Sequence, residues 1–172
     1  RVYEPNGQPY TNSLILNKTV YVPIKNSSYD AAALAVYQEA MPGYTVQGIY
    51  SSSWQSTDAL HCRAIGIADI GMLYVKHIPI QGTYEYQPTF QVSADIIPYS
   101  GQALKTDSLF VIYKANQGSF DTVPLVFSQN HTYTGLIPVA QGDTLISYYL
   151  FAADQSGRRE NWPLIGAPGA RS

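Results

Sequence analysis

The second half of this sequence consists of short β-prone runs separated by turn residues, and this pattern restricts the fold more than any other feature. No helix signal appears after the segment Gln81-Gly82-Thr83. The runs cover residues 90–97, 107–114, 122–127, 132–137 and 144–152. Turn signals such as Ser100-Gly101 and Asn130 separate them. Several short strands at this spacing predict an antiparallel β-sandwich.

The first 80 residues combine strands with a helix. Two β-prone runs, 14–16 and 19–22, flank the polar pair Asn17-Lys18 and predict a β-hairpin. Residues 30–41 predict a helix that ends at Pro42-Gly43. Its apolar face is expected to hold Ala33, Val36, Tyr37 and Ala40.

Strands are predicted at residues 44–50 and 72–78, which gives the order ββαβ, loop, strand. Because the pattern changes at Gln81-Gly82-Thr83, we place a linker there. The expected domains are residues 1–82 and residues 83–172, and the expected fold class is α+β. The length of 172 residues allows two small domains of this kind.

The charge balance argues against nucleic acid and anionic membranes as partners, because the formal net charge is −2. Fifteen tyrosines suit strands with half-buried faces. No apolar run reaches the roughly 20 residues that a membrane-spanning helix needs. Three histidines and one cysteine lack the spacing of metal ligands, so no metal site is predicted. The sequence starts at Arg1 without a methionine, which indicates a processed or truncated product.

Residues 57–63 contain the only cysteine, Cys62. A lone cysteine is either a small buried hydrophobe or a reactive group. Its neighbours His61 and Arg63 can both carry positive charge, which favours the thiolate. Since the thiolate is the nucleophilic form, Cys62 is a candidate catalytic residue.

Three segments, taken in their order along the chain, carry a family resemblance: Tyr10-Thr11-Asn12, then Ala40-Met41-Pro42-Gly43-Tyr44, then the cysteine segment. This order resembles the C-terminal end of bacterial peptidylarginine deiminases, within the agmatine deiminase superfamily. The resemblance continues through Tyr74-Val75-Lys76-His77 into a second domain. It implies the last ββαβ unit of a pentein, a five-bladed α/β propeller, followed by an immunoglobulin-like β-sandwich. It also implies a secreted or cell-surface bacterial protein.

The resemblance implies a reaction that needs no cofactor. In that family a cysteine attacks the guanidinium carbon of a peptide or protein arginine, ammonia leaves, and water releases citrulline. The match makes Cys62 the nucleophile and places Asn12 in the active site, where its amide could orient the substrate. The family's catalytic histidine and acidic residues lie upstream of Asn12, so we expect the missing N-terminal part of the catalytic domain to be a partner.

Other polar residues of the segment have two interpretations each. Thr57 could bind substrate or stabilise its loop, and Asp58 could bind a guanidinium or form a turn. His61 would point away from Cys62 on a strand, which favours an orienting role over acid–base catalysis. Three residues further along are expected to be structural or solvated: a packed His77, a solvated His131, and Trp162 closing the sandwich or a domain interface.

Two alternatives to a protein-arginine deiminase remain. Agmatine deiminases usually have a Gly-rich segment before the cysteine and Ile-Thr after it. Here Asp58-Ala59-Leu60 precedes His61, and Arg63 follows Cys62, which favours the protein-arginine branch. The other alternative is a non-catalytic binding or structural module in which Cys62 is inert.

Overall fold

The structure is a computed structural model that describes residues 7–57, residue 60 and residues 64–172. The chain is a mixed α/β protein, mostly β-sheet, and its single described α-helix lies in the first of two compact units. These units are Arg1–Ala68 and Asp69–Ser172. In the described part of the chain, no helix has the length and hydropathy that a membrane crossing requires.

The first unit has the predicted order of strand, strand, helix, strand. Its elements are β1 Leu14–Leu16, β2 Thr19–Ile24, α1 Asp30–Ala40 and β3 Thr45–Tyr50. β1 and β2 form the predicted antiparallel hairpin, and Asn17 takes the left-handed conformation (φ 52°) in the tight turn between them. β3 pairs in parallel with β2, so α1 is the crossover connection between two neighbouring strands.

Helix α1 packs on the sheet through a face that differs slightly from the predicted one. Ala33 is buried, and Leu34, Tyr37 and Met41 pack against the same core. The prediction included Ala40, which is exposed. Val36, also predicted, is half-buried and not part of this core. The buried face is thus turned around the helix axis toward Leu34 and Met41, which the helical period places beside Ala33 and Tyr37.

The second unit consists of two four-stranded antiparallel sheets, whose strands are β4 Leu73–His77, β5 Thr89–Pro98, β6 Phe110–Ala115, β7 Asp121–Pro124, β8 Val126–Gln129, β9 Thr132–Pro138, β10 Ile146–Ala153 and β11 Arg159–Trp162. The strand orders are β4-β5-β9-β8 and β11-β10-β6-β7. Buried residues of both sheets, such as Val92 and Ile96 of β5 and Val111 and Leu150 of β6 and β10, form one core. Their alternation with less buried neighbours is the period-two pattern of strands.

The division between the units falls after Ala68 rather than at the expected linker, Gln81-Gly82-Thr83. The reason is the pairing of β4, since Leu73 lies opposite Pro98 and His77 lies opposite Ala94 in β5. The strand expected to end the first domain therefore belongs to the second unit. Strand propensity alone does not specify which strand will be the partner.

Two other strand predictions needed correction. The run 122–127 divides at Leu125 into β7 and β8, which belong to different sheets. Leu125 is buried, and its backbone N–H donates to the carbonyl of Leu109 where the chain crosses between sheets. Strand β11, Arg159–Trp162, was not predicted, because three of its four residues are polar or charged.

Candidate active site

Asn12 makes two hydrogen bonds that enclose the segment just before the cysteine. Its side-chain Nδ2 donates to the carbonyl of Ser56 at 2.7 Å, and its own carbonyl accepts the N–H of Leu60 at 2.9 Å. Thr57 lies between these two attachment points, in a turn, with its side chain exposed. The fold therefore brings Asn12 to the segment that contains Thr57, although 44 residues separate Asn12 from Ser56.

The turn that carries Asn12 is held by the start and middle of α1. Tyr10 is fully buried, and its hydroxyl donates to the Asp30 carboxylate at 2.7 Å. The Tyr37 hydroxyl donates to the Tyr10 carbonyl at 2.8 Å, and the Asn12 N–H donates to the Pro9 carbonyl at 3.0 Å. Burial and the bond to Asp30 raise the pKa of Tyr10, so its hydroxyl stays a neutral donor.

The segment is also anchored from its other end, where it leaves β3. The Ser51 N–H donates to the Ile24 carbonyl at 3.1 Å. Trp54 is buried, and its indole N–H donates to the Ile49 carbonyl at 2.9 Å. A loop with a buried tryptophan and several backbone bonds can hold a reacting group in a defined place.

Five residues of the segment 57–63 lie outside the described residues: Asp58, Ala59, His61, Cys62 and Arg63. Cys62 as nucleophile and His61 as an orienting residue therefore remain predictions. Asn12 and Thr57 are described, and the structure brings them together.

The match to a known family decides how this geometry is interpreted. The model of the Porphyromonas-type peptidyl-arginine deiminase family matches residues 4–65, just over a third of the chain. Residues 4–65 of the first unit are therefore similar to this bacterial deiminase family. The match supports a deiminase-related function for that unit. The matched range contains Asn12, Thr57 and Cys62, and it ends before β4.

The described carboxylates of the first unit do not form a guanidinium site. Asp30 accepts hydrogen bonds from Tyr10 and from the backbone N–H of Ser27. Glu39 lies on the exposed surface of α1. Among the described residues, no three His, Cys, Asp or Glu side chains are grouped as metal ligands would be. What the described part of the site offers is an amide, a hydroxyl and backbone groups.

Sequence reasoning proposed Asn12 and Thr57 as site residues but did not predict the residues that hold their segments. Tyr10 and Tyr37 act through a carboxylate and a backbone carbonyl, and neither carries a recognisable spacing signal. Ser56 and Leu60 contribute only backbone groups, which are common to every sequence. Tyr10 lies 20 residues before its partner Asp30, so no local sequence pattern connects the two.

The two histidines of the second unit have the predicted environments, one packed and one exposed. His131 is exposed in the turn before β9. His77 is 8% exposed, with Nδ1 at 2.6 Å from the Ser93 carbonyl and Nε2 at 2.8 Å from the Tyr148 hydroxyl. The ring of Trp162 contacts His77 edge to face at 4.7 Å between centroids, so Trp162 closes the second unit.

Proposed function

We propose that this chain is the C-terminal portion of a cysteine-dependent protein-arginine deiminase, which converts arginine to citrulline and ammonia. One observation carries the proposal: Asn12 holds the segment on both sides of Thr57, within the matched range that also contains Cys62. A guanidinium carbon is a poor electrophile, so its hydrolysis needs a strong nucleophile in a fixed position.

The chemistry proceeds in two displacements. The Cys62 thiolate attacks the guanidinium carbon, a C–S bond forms, and a C–N bond breaks as protonated nitrogen leaves as ammonia. Water then attacks the same carbon, gives up a proton, and the C–S bond breaks to release citrulline and the thiolate. His61 and Arg63, as sequence neighbours of Cys62, provide positive charge that favours the thiolate.

Asn12 acts mainly by positioning in this proposal. Its amide nitrogen already donates to Ser56, so its main effect is on the placement of the cysteine segment. Thr57 is exposed between the two attachment points and is the candidate for substrate contact. The hydroxyl of a threonine can both donate to and accept from a guanidinium or a peptide group.

The reaction also needs an acid for the departing ammonia and negative charge against the guanidinium. Asp30 serves Tyr10, and Glu39 is on the exposed face of α1. We therefore expect another part of the catalytic domain to supply these groups, as the pentein fold implies.

The strand orders support an immunoglobulin-like second domain. In immunoglobulin domains one sheet has the order ABED, and the other contains G, F and C with C′ in the variable type. Numbered from β4 as strand A, the order β4-β5-β9-β8 corresponds to A, B, E, D. The order β11-β10-β6-β7 corresponds to G, F, C, C′. Such sandwiches are frequent in cell-surface proteins, in keeping with a secreted enzyme.

Covalent labelling of Cys62 tests the proposal. A haloacetamidine mimics the guanidinium, and the uncharged haloacetamide of the same shape is its control. We expect the full-length enzyme to be labelled faster at Cys62 by the amidine, and Cys62→Ser to lose both labelling and citrulline formation. Equal labelling by the two reagents, or activity retained in Cys62→Ser, would contradict the nucleophile assignment. Comparing peptide arginine with agmatine as substrates separates this proposal from an agmatine deiminase.

A further inference from the structure

A cavity of about 420 Å³ opens in the second unit. It lies between the connection from β4 to β5 and the start of β10, and its aromatic lining consists of Tyr84, Tyr86, Phe90 and Tyr148. Its volume falls within the range of about 300–1,000 Å³ that small-ligand sites occupy. An aromatic cavity of this size has room for one long side chain and part of a peptide backbone.

Two tyrosines of the wall are held in place although they face solvent. Tyr84 and Tyr86 are 52% and 55% exposed. The Tyr84 hydroxyl donates to the Gln81 carbonyl at 3.1 Å, and its ring packs edge to face on Phe90 at 5.6 Å. The Tyr86 hydroxyl lies 3.5 Å from the Val139 carbonyl. Rings fixed in this way lose little conformational freedom when a ligand binds.

The remaining sides of the cavity are equally rigid. Tyr148 is 3% exposed, and its hydroxyl oxygen contacts His77 Nε2 and accepts the N–H of Ile80, both at 2.8 Å. On the opposite rim, Asn116 Oδ1 accepts the backbone N–H groups of Thr144 and Leu145 at 3.0 and 3.1 Å. The cavity is thus formed before any ligand arrives.

The charged side chains that line the cavity are both acidic, Glu85 and Asp143. Glu85 lies between the two exposed tyrosines in the sequence. Arg171 pairs with Tyr148 through backbone hydrogen bonds, and its positive charge partly offsets the rise that burial causes in the pKa of Tyr148, but Arg171 does not line the cavity. Carboxylates beside aromatic faces attract cations, because a positive group gains from both the charge and the ring quadrupole.

We propose that this cavity binds the arginine side chain of a peptide segment, independently of any deiminase reaction. A guanidinium is planar, stacks on tyrosine rings and pairs with a carboxylate, and it is more weakly hydrated than an ammonium group. Arginine should therefore bind more tightly than lysine. The site does not depend on the proposed catalytic function, since all its residues belong to the second unit.

Peptide titration followed by NMR tests this site in the 172-residue chain carrying Cys62→Ala, which excludes turnover. The probe is capped Gly-Arg-Gly, and the matched control is the citrulline peptide, a neutral isostere. We expect shifts of the Tyr84 and Tyr86 ring signals with the arginine peptide, and binding of the citrulline peptide weaker by about tenfold. Equal binding of the two peptides, or shifts confined to other residues, would overturn the proposal.

Two charge variants make the test specific. Glu85→Gln should lower the affinity for the arginine peptide by about two- to fivefold, which is the range for one exposed ion pair. Glu39→Gln makes the same change of charge on α1 of the first unit, outside the residues that line the cavity, and should leave the affinity unchanged. A similar effect of both variants would show a general charge attraction and contradict the site.

Discussion

His77 Nε2 lies 2.8 Å from the hydroxyl oxygen of Tyr148, in a contact that connects β4 of one sheet with β10 of the other. The Ser93 carbonyl can only accept, so Nδ1 carries the imidazole proton, and Nε2 accepts the Tyr148 proton. The Tyr148 oxygen in turn accepts the Ile80 N–H. Protonation of Nε2 would leave the Tyr148 proton without this acceptor, so the network favours the neutral histidine.

This network predicts a pH dependence of stability. Burial lowers the pKa of His77, and the bond to Ser93 only partly opposes that shift. In the unfolded chain the histidine pKa is ~6.5. At acidic pH the unfolded chain therefore binds more protons than the folded chain. The free energy of unfolding should therefore fall as pH falls through ~6.5 and remain level above ~7.5.

The measurement is urea denaturation between pH 5.5 and 8, followed by the Trp162 indole NMR signal. His77→Gln should remove the pH dependence, and His131→Gln, which alters an exposed histidine, should retain it. If the free energy of unfolding still depends on pH in His77→Gln, the dependence arises from another group.

Asp154 is expected to stabilise the β10–β11 hairpin. It is fully buried, and its carboxylate accepts from the hydroxyls of Ser100 and Ser156 and from the Arg158 N–H. Burial raises the pKa of Asp154, but these bonds outweigh it and lower the pKa overall. Their stabilisation is therefore present above the unfolded pKa of ~3.9 and is lost as pH falls below it.

Asp154→Ala leaves these donors without their acceptor and should lower the free energy of unfolding by about 1–3 kcal/mol. Asp107→Ala, at an exposed position, should change it by less than about 0.5 kcal/mol. Chemical denaturation at pH 7 measures both, and equal losses in the two variants would refute the role of Asp154.

Asn12→Ala should slow amidine labelling of Cys62 in the full-length enzyme by about tenfold or more, because the cysteine segment loses its side-chain attachment. Ser56→Ala is the matched control, since Asn12 bonds only the backbone carbonyl of Ser56. An Asn12→Ala enzyme labelled at the normal rate would show that this attachment does not position the nucleophile.

The second unit should fold by itself as residues 69–172 but not as residues 83–172. The shorter polypeptide lacks β4, which contributes Leu73 and His77 to the interior and covers the edge of β5. Circular dichroism during thermal unfolding should show a cooperative transition only for the longer polypeptide. A cooperative transition in residues 83–172 would restore the boundary at the Gln81-Gly82-Thr83 linker.

The 172-residue chain alone should release no citrulline from an arginine peptide. Asn12, Thr57 and Cys62 provide neither the acid nor the anionic groups, and cooperating groups lose most of the rate when one is missing. A citrulline assay, repeated after addition of the remaining catalytic polypeptide, measures this. Equal turnover in both assays would show that the chain contains a complete site.

The sequence predicted local structure well where the spacing of apolar residues and the turn residues indicated the same element. Asn17-Lys18 between two β-prone runs predicted the β1–β2 hairpin, and the Ala-rich run predicted α1 almost to the residue. It did not predict that β4 pairs with β5, or that the chain changes sheets at Leu125. Both depend on which strand lies alongside, which is a property of the tertiary structure rather than of a segment.

The candidate site shows the same limit. Residue types and their order pointed to Asn12 and Thr57, and hydrogen bonds attach Asn12 to Ser56 and Leu60, on either side of Thr57. The attachment itself uses backbone groups of Ser56 and Leu60, whose position no side-chain pattern encodes. The cavity beside Tyr84 and Tyr86 could not be predicted from the sequence, because its walls come from segments that are far apart in the chain.

The bond between His77 and Tyr148 also sets an order of events during synthesis. Its partners are 71 residues apart, so at about 5–20 residues per second a ribosome needs roughly 4–14 s between them. Trp162, which covers the His77 ring, is made later still. Until then the His77 ring of the nascent strand β4 lacks the core residues that bury it in the folded protein. Translation speed over residues 77–162 is therefore a variable to which the yield of folded protein should respond.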